Sequence, residues 1–112
     1  MRHIMAAIKP NTLEEVREAL TAAGVRGCVV SEIKGFGTQS RHTEIYRGAE
    51  YAVSFVPKAK IESAVSDSIA DDVIETVARV AKAGRIGEGK VFMRDLKDAL
   101  RVRTGGSGEN AP

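Results

Sequence analysis

The chain has 112 residues, 17 basic and 15 acidic, with a hydrophobic fraction of 43% and a single cysteine. That length implies one domain with one core, spanning 1–112. The near-even charge excludes bulk nucleic-acid binding but leaves room for local basic clusters that meet phosphate.

A lone Cys28 excludes an internal disulfide, and its apolar neighbours favour a buried thiol over a nucleophile. Aromatic residues make up only 4% and Trp is absent, so the core must come from Val, Ile, Leu and Ala. Such a core is thin, and burial against further subunits is expected. The chain has no long apolar segment near its start and no run of 18 apolar residues. A soluble, cytoplasmic protein is the expectation.

Residues 2–8, "RHIMAAI", read as a buried strand ended by Pro10. In "NTLEEVREALTAAG", Leu13, Val16, Leu20 and Ala23 recur at helical spacing. Asn11 or Thr12 is placed to cap, with Glu14 or Glu15 reaching back, and Gly24 is a stop. "GCVVSEIKGFG" alternates as a strand with Val29, Ser31 and Ile33 on one face. "YAVSFVPKAKIE" is a second strand, with Val53, Phe55 and Ile61 on one side and Pro57 marking an edge or a bulge.

From Ser66 to Ala83 the stripe Ile69, Val73, Val77 and Ala81 is helical, and Gly84 closes it. A glycine-rich loop follows, then the strand "VFMRDL". The tail, about 105–112, is composed like a disordered end. The order βαββαβ implies an α+β, ferredoxin-like fold: an antiparallel sheet with two helices on one face. That architecture hosts many functions and decides none.

"GRIGEGKV" matches G-x-x-x-x-G-K but is no Walker A loop. Val91 stands where a Mg²⁺-holding Ser or Thr is needed, and the loop runs from helix to strand. Its glycines still allow backbone N–H groups to approach an anion, with Lys90 adding charge; the alternative is a plain helix cap and turn. Arg101 and Arg103 would share a face in an extended segment, suiting forked donation to phosphate; alternatively they belong to a solvated basic tail. "GFG", Gly35–Gly37, either admits a ligand close to the backbone or lets the chain leave the sheet. His3 and His42 look isolated, which argues against a metal site. The long polar arm "GFGTQSRHTEIYRGAEY" carries both tyrosines, Tyr46 and Tyr51. They either pack at the base of the arm or serve as a modification or docking point.

"KGFG", "HTEIYRGAEY", "PKAKIE", "GRIGEGKVF" and "RVRTG" stand in an order and spacing that resembles the PII nitrogen-regulatory proteins, from the first strand to Gly105. The resemblance implies a homotrimer of ferredoxin-like subunits, each with a long T-loop at about 37–55. ATP or ADP would bind in the clefts between subunits, with 2-oxoglutarate and Mg²⁺ joining at the base of that loop. By position, Gly35, Phe36, Gly37, Thr38 and Gln39 would line the nucleotide site, with Glu62 on the adenine side. Gly87, Glu88, Gly89, Lys90, Arg101 and Arg103 would surround the phosphates. Gln39, Ser40, Arg41, Lys58 and Gly87 would meet the effector, Gln39 would touch the metal, and Tyr51 matches a tyrosine that carries a nucleotidyl modification in many members.

The implied role is a non-enzymatic sensor of nitrogen, carbon and energy state. Its implied partners are an ammonium transporter, a nucleotidyltransferase and regulators of glutamine synthesis, with membranes reached only through a protein partner and no nucleic acid bound. Set against the family, Thr38 replaces a usual Arg that reaches the nucleotide phosphates, Ser40 and Arg41 a usual Lys-Gly pair, Ser54 a usual Asp, and Val29 a frequent Thr near the adenine. Three readings compete, the first of them within the same family. One is a divergent relative answering to AMP or bicarbonate. Another is a nucleoside-phosphate enzyme using His42. The third is an RNA-binding module, which would need stacking aromatics that these strands lack.

Overall fold

A computed structural model describes residues 1–36, 55–82 and 89–112. Four strands form one antiparallel sheet: β1 (Arg2–Ile8), β2 (Val29–Gly35), β3 (Val56–Val65) and β4 (Lys90–Asp95). Their order across the sheet is β2-β3-β1-β4. Two helices, α1 (Leu13–Ala22) and α2 (Asp67–Lys82), complete the βαββαβ arrangement expected from the sequence.

Strand parity assigns the two faces of the sheet. Ile4, Ala6 and Ile8 of β1, with Ala59, Ile61 and Val65 of β3, are buried with Val16 and Leu20 of α1 and Ala70, Val73 and Val77 of α2. Among the described residues the buried core contains no aromatic side chain. Both helices present the apolar stripe that their spacing predicts, and Cys28 packs half-buried against the same cluster. The other face, away from the helices, carries His3, Met5 and Ala7, then Lys58, Lys60 and Glu62, then Lys90, Phe92 and Arg94. Register brings these into rows: Ala7 stands opposite both Lys60 and Lys90, and Met5 opposite both Glu62 and Phe92.

Local details refine the sequence reading. Val29, Ser31 and Ile33 do share a face, but it is the open one, because Val30 rather than Val29 pairs with the core residue Ile61. Ile61 is core, whereas Phe55 precedes β3 and is exposed; Val53 lies outside the described residues. Pro57 sits inside β3 opposite Lys34, beyond the last pair with β1, Ile8↔Ala59, so the strand is locally an edge there. No side chain caps α1: Thr12 Oγ1 donates to the Lys9 carbonyl (2.8 Å) because a 3₁₀ turn, Pro10–Thr12, precedes the helix. Glu14 pairs with Arg17 instead of reaching back.

Gly24 does end α1. At φ +105° it allows two bonds, Val25 N–H to Leu20 O (3.0 Å) and Gly24 N–H to Thr21 O (3.1 Å). This is a Schellman ending, with Leu20 and Val25 both buried in the core. Gly84 lies outside the described residues. The tail beyond Arg103 follows a definite path rather than an open end. Leu100 and Ser107 form a bridge, and the Gly108 N–H donates to Ala99 O (3.0 Å).

Candidate functional site

The base of the polar arm is formed by the β2–β3 ladder, which closes at Gly35↔Val56. Just beyond it, Phe36 and Phe55 meet edge to face, with ring centroids 5.3 Å apart and planes at 89°. This pair ties the two legs of the arm together where the sheet ends. Gly35 faces the open side, and a side chain there would meet the aliphatic stem of Lys58 at 3.9 Å. Gly35 and Lys58 are thus brought together at the base of the arm. Gly37, Thr38, Gln39, Ser40, Arg41, His42, Tyr46 and Tyr51 lie outside the described residues, as does most of the proposed T-loop.

At the opposite side of the sheet, the end of the glycine-rich loop enters β4. A Cβ on Gly89 would lie 2.8 Å from the backbone oxygen of Ala7, closer than real Cβ atoms come to any neighbour. The next residue, Lys90, pairs with the same Ala7 on the open face. Glycine is therefore required here by the neighbouring strand, whatever else the loop does. Gly87 and Glu88 lie outside the described residues.

Between these two ends, lysines gather on the open face. Lys60 and Lys90 flank Ala7, and Lys58 is two residues from Lys60 on the same side. Glu62 completes the row along β3. Its carboxylate bonds Lys60 Nζ (3.3 Å) and His3 Nε2 (3.1 Å). Lys60 first, then His3, holds the Glu62 pKa below its ordinary value, outweighing the opposing effect of burial. Such a surface suits an anion with several charged oxygens.

Arg101 and Arg103 are arranged differently from the sequence expectation. They lie in a turn, not an extended run, because the Gly105 N–H donates back to Arg101 O (2.7 Å). Residues two apart in a turn no longer share one face by parity. The Arg101 guanidinium donates to the carbonyls of Ala111 (3.0 Å) and Pro112 (3.2 Å), while Arg103 is exposed. The structure therefore unites Gly35 with Lys58, and Glu62 with Lys60, but holds Arg101 on the tail of its own chain.

Sequence reading missed Lys60, Arg94 and His3. Lys60 had a signal: Lys58, Lys60 and Glu62 alternate with the core residues Ala59 and Ile61. His3 looked isolated because Glu62 is 59 positions away; only strand pairing joins them. Among the described residues no group of three His, Cys, Asp or Glu side chains could hold a metal, and no helix is long and apolar enough to cross a membrane.

Residues 1–106 match the family model described as nitrogen regulatory protein P-II. The chain is 56% identical over 105 residues to a nitrogen regulatory protein P-II of Rhizobium etli, covering 94% of each. It is 52% identical, over the same share of each chain, to the P-II protein of Klebsiella oxytoca and to P-II 1 of Escherichia coli.

Proposed function

Given that the chain belongs to the P-II family of nitrogen regulatory signal-transduction proteins, we propose that it is a non-enzymatic sensor that binds ATP or ADP, with Mg²⁺ and 2-oxoglutarate, and controls partner proteins through its T-loop. The observation that carries this reading is the open sheet face. It joins the cations Lys58, Lys60 and Lys90 to the base of the arm at Gly35. On this reading Gly35, Phe36, Gly37, Thr38, Gln39 and Glu62 line the nucleotide, and Gly87, Glu88, Gly89, Lys90, Arg101 and Arg103 surround its phosphates. Gln39, Ser40, Arg41, Lys58 and Gly87 meet 2-oxoglutarate, Gln39 meets Mg²⁺, and Tyr51 receives a nucleotidyl group. An ammonium transporter, a nucleotidyltransferase and regulators of glutamine synthesis are the proposed partners.

The assembly is a homotrimer in which copies meet on the open face. Val29 is 63% exposed and Phe92 51% exposed there, beside Met5 and Ile33, a large apolar area for a chain with so thin a core. Arg101 would leave its tail carbonyls to reach phosphate.

Calorimetry of ATP, with and without 2-oxoglutarate, tests the ligands, and light scattering should give about three times the chain mass. Arg103→Ala should weaken ATP by roughly tenfold or more, the loss of one charge-assisted bond, with the trimer intact. Unchanged ATP affinity in that variant removes Arg103 from the site. A response to ATP without any to 2-oxoglutarate would favour a divergent relative answering to another effector, a reading motivated by Thr38, Ser40 and Arg41.

A further inference from the structure

His3 has a hydrogen-bond partner on each ring nitrogen. On β1 it stands directly opposite Arg94 of β4 and diagonally from Glu62 of β3, on the open face. Arg94 Nε lies 3.2 Å from Nδ1, and Nε2 lies 3.1 Å from Glu62 Oε1. A guanidinium only donates, so Nδ1 must offer a lone pair; an ionised carboxylate only accepts, so Nε2 must carry the hydrogen. The partners thus select one neutral tautomer. A proton added at Nδ1 sets donor against donor and cation against cation. The ring then keeps Glu62 and loses Arg94.

The surroundings decide what that proton does. Among the described residues, the charged groups facing this side are Lys58, Lys60 and Glu62 from β3, and Lys90 and Arg94 from β4. β2 adds none, since it presents Val29, Ser31, Ile33 and Gly35. Among the described residues Lys60, Lys90 and Arg94 outnumber the one carboxylate, so a protonated His3 adds charge to a surface already positive. Glu62 stays ionised meanwhile, because Lys60 and His3 hold its pKa low.

We infer that His3 is a proton-sensitive element which loosens the contact between copies of the chain on the open sheet face when its imidazole takes up a proton. This rests on the reading that copies meet on that face. Where they do, charge added by every copy is brought together, and like charges set side by side across an interface oppose association.

Sedimentation equilibrium at about pH 8 and about pH 5.5 tests it, on the wild type and on His3→Gln. Glutamine can donate to Glu62 and accept from Arg94, yet it does not titrate in this window. The dissociation midpoint of the wild type should rise about tenfold or more on acidification, and that of His3→Gln should not. Nitrogen-15 NMR of the ring should show the Nε2–H tautomer at the higher pH. Equal pH dependence in the two proteins, a wild type indifferent to pH, or an Nδ1–H tautomer overturns the inference while leaving the assembly reading intact. A wild-type monomer at pH 8 removes the assembly reading and the inference with it.

Discussion

Gly89→Ala separates a glycine demanded by packing from one that merely sits near a ligand. The new Cβ would lie 2.8 Å from Ala7 O and 3.9 Å from Ala7 C and Ile8 Cα. Ordinary contact begins at about 3.4 Å, so the entry to β4 must move away from β1 by about 0.6 Å, the difference between those distances. The obstructing atom is backbone of a central strand, and no rotamer change relieves it. Overpacking of this kind costs about 1–3 kcal/mol. At this chain length the melting temperature should fall by roughly 4 °C for each kcal/mol.

Gly35→Ala is the matched control. Its nearest neighbours are Lys58 Cδ and Cε, both at 3.9 Å, ordinary contact with a flexible side chain. It should stay within about 0.5 kcal/mol of wild type. Thermal unfolding followed by circular dichroism compares the two, and ATP calorimetry should show the larger loss for Gly89→Ala, whose displacement carries Lys90 with it. Equal melting temperatures for the two variants would refute the steric reasoning.

Gly24→Ala should destabilise by about 1–2 kcal/mol through backbone strain alone, since at φ +105° the added methyl would only touch Ile69 Cδ1 at 3.6 Å; a neutral result in chemical denaturation would show that the ending of α1 relaxes. For Glu62 the folded pKa is depressed, so its stabilisation is present above the unfolded value of about 4.3 and is lost as pH falls through the folded value. Melting temperature should therefore drop more steeply for wild type than for Glu62→Gln as pH is lowered from about 6 to 3, and parallel slopes would rule this out.

The helices and β1 were legible because their apolar periods are complete: Val16 and Leu20, Val73 and Val77, Ile4 and Ile8 all fall where the pattern puts them. For β2 the pattern gave parity but not direction. Val29, Ser31 and Ile33 alternate as a core strand would, and only the pairing of Val30 with Ile61 shows that they face away from the helices. The capping of α1 was misread because Pro10 starts a 3₁₀ turn that engages Thr12 before the helix begins. At the site, glycine spacing exposed Gly89, but the His3–Glu62 contact depends on a pairing between residues 59 positions apart, which composition does not register. Arg101 was read as extended since nothing local announces that Gly105 folds back on it.

A two-faced sheet explains why so small a chain can hold both a core and a site. In β3, Ala59, Ile61 and Val65 serve the core, while Lys58, Lys60 and Glu62, lying between and beside them, take no part in it. β1 divides in the same way, with Ile4, Ala6 and Ile8 inward and His3, Met5 and Ala7 outward. Pairing fixes the outward set as rigidly as packing fixes the inward one, because a slip of one residue would exchange the two faces and bury lysines. The lysines and Glu62 are therefore held in position by hydrophobic burial on the far side of the same strands. The arm differs: among the described residues its legs are tied by the end of a ladder and by the Phe36–Phe55 contact. A ligand on the open face near Gly35 would act at that junction, where a small gain in contact can bias the arm without opposing the core.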